Sequence, residues 1–78
     1  MNAISRTAAS VGELESLLRD KLRQRPCYLR LGAVRVFPDK TTACGWTADV
    51  QGNFSADERR AVRDIVVDSQ QRFSLVTP

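Results

Sequence analysis

Near the start of the chain, apolar residues recur at helical spacing. Val11, Leu14, Leu17, Leu18 and Leu22 fall on one helix face, with Glu13, Arg19, Asp20, Arg23 and Gln24 opposite. Ser10-Val11-Gly12-Glu13 has the form of a capping box, in which a Ser hydroxyl and a Glu carboxylate each satisfy a free amide at the helix start. Pro26 disfavours helical backbone at Arg25 and predicts the stop. Residues 1–9, rich in Ala, Ser and Thr and without periodicity, are expected to form a flexible N-terminal tail.

Between Cys27 and Phe37, branched and aromatic residues predict a strand. Leu29 and Leu31 share one parity, Val34 and Val36 the other. A bulge at Gly32-Ala33 is expected to return both pairs to one face. Pro38 to Thr42 is turn chemistry. Cys44, Trp46, Ala48 and Val50 then alternate with Gly45, Thr47 and Asp49, predicting a half-buried strand that runs to Gln51. Keeping both apolar sets on one face admits a hairpin that pairs Val36 with Trp46 and Val34 with Ala48. Its loop spans Asp39 to Ala43, and Arg35 faces Thr47.

Ser55-Ala56-Asp57-Glu58 is a second capping box. Ala61, Val62, Ile65, Val66, Ser69 and Phe73 make the inner face of a helix reaching about Arg72, while Arg60, Arg63, Val67 and Gln71 point away. Leu75 and Val76 are expected to dock on the core. The predicted fold is therefore one α+β domain over residues 10–76, in the order helix–strand–strand–helix (αββα). Both helices should pack on one face of a two-stranded antiparallel hairpin, because nothing else can cover it. The double-stranded RNA-binding domain differs in having three strands between its helices, and the loop signature of KH domains is absent.

Length changes the picture, because a 78-residue chain has a small core and buries only about 60% of its unfolded surface. The uncovered sheet face and two free strand edges invite another chain. A homodimer with a continuous four-stranded sheet, or another protein partner, is the expected consequence.

The net charge is +3, and ten of the twelve basic residues are Arg. Arg suits phosphate recognition, but the ratio is explained more simply by a GC-rich, bacterial type of codon usage. A surface of Tyr28, Arg30, Arg35 and Phe37 on the open sheet face, with Arg59, Arg60, Arg63 and Val67 on the second helix, is the candidate site for a partner or for nucleic acid. Interspersed Asp49, Asp57, Glu58, Asp64 and Asp68 favour an ordinary solvated surface.

Catalytic chemistry has little to draw on. The chain has no His, the residue used most often for proton transfer near neutral pH. Neither phosphate-loop glycine pattern occurs. In the hairpin register above, Cys44 lies opposite Pro38, roughly 35 Å along the strand from Cys27. Free thiols are expected, each a small buried hydrophobe. No catalytic residue, metal ligand or cofactor is expected. With no long apolar run, the expectation is a cytoplasmic chain without a membrane partner. The favoured reading is a non-enzymatic, self-associating interaction module; the alternative is RNA or DNA binding through the arginines.

Overall fold

Both predicted capping boxes form. The Ser10 hydroxyl accepts from the Glu13 amide at 3.2 Å while the Glu13 carboxylate accepts from the Ser10 amide at 3.0 Å. Ser55 and Glu58 repeat the exchange at 3.2 and 2.8 Å. The computed structural model describes residues 6–76. In chain order these form β1 (Thr7–Ala9), α1 (Val11–Arg23), a 3-10 helix (Pro26–Arg30), β2 (Leu31–Pro38), β3 (Trp46–Gly52), α2 (Ala56–Arg72) and β4 (Phe73–Leu75).

The fold is α+β with two helices, but it is not the simple expected hairpin with both helices on one face. A second sheet is present, in which β1 pairs in parallel with β4, Thr7 opposite Phe73 and Ala9 opposite Leu75. Thr7–Ala9 therefore belongs to the fold, contrary to the expected tail, and Ala9 is buried. A three-residue strand is too short to show periodicity, which is why this pairing leaves no pattern in the sequence. The remainder of that tail, residues 1–5, lies outside the described residues.

The main sheet is the antiparallel pair β2–β3. Its bulge falls between Leu31 and Ala33, as the broken alternation predicts. The strand starts later than expected, because Pro26 presets the backbone angle that opens a 3-10 helix. Leu29 is consequently 91% exposed rather than inward-facing. The register is also shifted by two residues: Val34 faces Val50, Val36 faces Ala48 and Pro38 faces Trp46. The expected loop of Asp39 to Ala43 is too short. The true connection continues through Gly45, whose φ of 83° favours glycine. The Asp39 amide donates to the Gly45 carbonyl at 2.9 Å. Cys44 leaves the strand and is buried in the loop.

A two-residue shift keeps every side chain on its original face. The core accordingly contains Val34, Val36 and Trp46 from the hairpin, Leu14, Leu18 and Leu22 from α1, and Val62 and Ile65 from α2. Trp46 is fully buried, and its indole N–H donates to the Phe73 carbonyl at 3.0 Å. Ser69, also fully buried, donates to the Ile65 carbonyl at 2.8 Å. Leu75 packs on the core, whereas Val76 is half exposed.

Two predictions concern these anchors. Trp46→Phe should lower unfolding free energy by about 2 kcal/mol, from the lost indole hydrogen bond and the space left behind. Urea unfolding checks this as a shifted midpoint at unchanged slope. The second concerns pH. The Ser10 amide holds the Glu13 carboxyl below its ordinary 4.5, and the Ser55 amide does the same for Glu58. A depressed folded value means the stabilisation is complete above pH 4.5 and is lost as pH falls through the folded values. The double variant Glu13→Gln with Glu58→Gln should thus be less stable than the parent at pH 7. That difference should shrink steadily below pH 4.5 in parallel thermal melts.

Candidate functional site: the free edge of β3

The outward amides of the hairpin can be assigned by parity. The Asp39–Gly45 bond extends the hydrogen-bonded pairs Phe37–Thr47 and Arg35–Asp49. Antiparallel pairs alternate, so the intervening Val34–Val50 and Val36–Ala48 pairs aim their backbone groups at the two free edges.

Those edges are treated differently. On the β2 edge, the Val36 amide donates to the Glu15 carboxylate of α1 at 3.0 Å. Pro38 at the end of the strand has no amide to offer. An acidic side chain bonded into an edge and a terminal Pro are both devices that deter strand pairing. On the β3 edge, the Trp46 carbonyl accepts from the Gln70 side chain at 2.9 Å, and the Cys44 carbonyl accepts from the Leu75 amide at 3.0 Å. Beyond them, no hydrogen bond to the edge groups of Ala48 or Val50 is formed among the described residues.

Beside this open stretch runs a groove of about 490 Å³ between β3 and α2, within the range of about 300–1,000 Å³ typical of ligand clefts. Ala48, Val50, Phe54, Val62, Val66 and Val67 supply its apolar surface, and Arg59 and Arg63 line it from α2. The Asp49 side chain alternates to the opposite, open sheet face, where its carboxylate accepts from Gln51 at 2.9 Å. Among the described residues Arg59, Arg60 and Arg63 form no ion pair. Gly52 ends β3. A Cβ there would lie 2.6 Å from the Arg30 carbonyl oxygen, and 2.5 Å from the Phe54 ring, so strand and ring approach closely only because the residue is glycine.

The predicted surface is divided. Arg59, Arg60, Arg63 and Val67 are exposed on α2 as expected, Val67 at 43%. Arg35 and Phe37 share the open sheet face, with the guanidinium 6.0 Å from the ring centre. Tyr28, expected beside them, lies in the 3-10 helix, half buried beneath Arg23 at 5.8 Å. Arg30 is in the same helix and bonds Glu58 at 2.6 Å. The four sheet-face candidates are thus not brought together, because the 3-10 helix breaks the alternation on which their grouping depended. Sequence reasoning missed Glu15, Phe54 and the edge positions Ala48 and Val50. Apolar alternation does place the side chains of Ala48 and Val50, but edge exposure depends on the exact register, which the loop decides.

Cys27 and Cys44 are free, buried thiols. Among the described residues, no group of three His, Cys, Asp or Glu could hold a metal ion, and no helix is long and apolar enough to cross a membrane. No protein-family model, curated protein or solved structure matches the chain.

Removing the guard on β2 should be measurable. Glu15→Ala is expected to speed exchange of the Val36 amide about tenfold, equivalent to about 1.4 kcal/mol, near the lower end for a bond to a charged acceptor. Residue-resolved hydrogen exchange reads this directly, and the Ala48 and Val50 amides serve as the already exposed reference.

Proposed function

We propose that the protein is a non-enzymatic interaction module that receives a polypeptide strand, from a second copy or from another protein, along β3. The edge backbone of Ala48 and Val50, without a hydrogen-bond partner among the described residues and next to an apolar groove, carries this reading. An added strand would gain main-chain hydrogen bonds from the edge and side-chain contacts from the groove, the two components of β-strand addition. The opposite edge, where Glu15 occupies the Val36 amide, would give such pairing a preferred side.

The alternative, binding of RNA or DNA, now rests on Arg59, Arg60 and Arg63, which line one concave patch on α2. It predicts low-salt binding that weakens steeply as salt is added. Arg30 is engaged with Glu58 and Tyr28 is half buried, so the stacking platform expected of a single-strand binder is incomplete.

Strand addition has a sharp test. Raising the protein's own concentration, or titrating it with a pool of diverse linear peptides, should shift the Ala48 and Val50 amide resonances and slow their exchange. Ala48→Pro should abolish both effects while leaving the fold intact, because that amide faces the edge and bonds nothing among the described residues. Unchanged resonances and fast exchange in both series would remove this reading.

A further inference from the structure

We infer that the occupant of the β3 edge is an extended acidic peptide segment rather than a second copy, with carboxylate side chains over Arg59 and Arg63 and aliphatic ones over Val66 and Val67. The inference rests on strand addition at β3 and adds the chemistry of the partner.

Parity decides against the second copy. A two-fold pairing centred on Asp49 places each Ala48 opposite the other copy's Val50. Asp49 then directly faces its own copy in a non-hydrogen-bonded pair, where Cα atoms are about 4.5 Å apart. Like charges directly opposite are destabilising. Centring the pairing on Ala48 instead brings Val50 against Trp46, whose carbonyl is already bonded by Gln70, and centring it on Val50 brings Ala48 against Gly52, where β3 ends. Every such arrangement also joins the sheets with the two α2 helices on the same side, so that Arg59 and Arg63 of one copy approach those of the other.

Charge points to the partner instead. The side chains of an added strand alternate between the α2 side and the open sheet face. On the α2 side the groove is polarised. Near Val50, at the start of α2, Arg59 and Arg63 are one helical turn apart and form no ion pair among the described residues. Near Ala48, Val66 and Val67 offer apolar surface up to Gln70. On the open face, Asp49 and Thr47 flank the edge and would repel a carboxylate but tolerate a hydroxyl. An antiparallel strand enters at the Val50 end, so its acidic positions come first. The matching pattern is glutamate and then valine at alternate positions, with threonine between them.

The test uses an end-blocked peptide of that pattern, a second in which glutamine replaces glutamate, and a third with lysine. Binding is read by anisotropy of the labelled peptide and by the Ala48 and Val50 amides. The acidic peptide should protect both amides and bind about tenfold tighter than the glutamine peptide at low salt, the equivalent of two modest ion pairs. The advantage should vanish in Arg59→Gln with Arg63→Gln, exposed helix positions where Gln is well accommodated, and should decline with added salt. Equal affinity for all three peptides, or protection of both amides by the protein's own concentration alone, would overturn the acidic partner and leave strand addition standing. If an oligonucleotide perturbs Arg59, Arg60 and Arg63 while no peptide or self-association protects the edge, both readings fall together.

Discussion

The Trp46 indole is fully buried with its N–H bonded to the Phe73 carbonyl, and much of the remaining architecture follows from satisfying it. A large aromatic gives a small core much of its buried area, but its N–H requires an acceptor inside. Phe73 can supply that acceptor only if the chain leaves α2 in an extended conformation directly beside β3. That path is β4, which then donates from Leu75 to the Cys44 carbonyl and pairs with β1. Gln70, three residues before Phe73, reaches back to the Trp46 carbonyl. One residue thereby couples the hairpin, the second helix and the second sheet.

The same coupling determines how much of β3 remains available. Gln70 and Leu75 cover the edge at Trp46 and Cys44, and the chain turns away at Gly52. Among the described residues, that leaves the stretch from Ala48 to Val50 open. On β2 the helix arrives first, and Glu15 takes the Val36 amide. The asymmetry between the edges thus comes from which helix lies against each strand and from what its side chains carry. α1 presents a carboxylate to its strand, and α2 presents valines and arginines to the groove.

Much of this was legible in the sequence where the determining forces are local. The capping boxes at Ser10 and Ser55 depend on four consecutive residues each, and both form. The inward faces of the helices follow from period alone, and the bulge at Gly32-Ala33 follows from broken alternation. Register was not legible, because the loop ending at Gly45 differs from the expected one by two residues and a two-residue slip leaves the facial pattern unchanged. β1 and β4 were invisible for a related reason: three residues bonded to a distant segment carry no periodic signal. Tyr28 and Arg30 were misplaced because a strand-like composition after Pro26 folded as a 3-10 helix. The candidate site suffered most. A free edge depends on hydrogen-bond parity, which exists only once register and neighbours are known.

An open edge is a hazard as well as an opportunity, since any extended chain can pair with it. Here the exposed length is short, which limits how much an arbitrary strand could gain from backbone bonds alone. Useful affinity would then come from side chains in the groove, where Phe54, Val62 and Val66 would accept apolar groups and Arg59 and Arg63 would discriminate by charge. The arginines would act in both directions. They would disfavour a second copy, which brings its own arginines and Asp49 to the join, and would favour a strand carrying carboxylates. Charge at this position would therefore both restrain self-association and select the partner, as opposed roles of a single repulsive and attractive field.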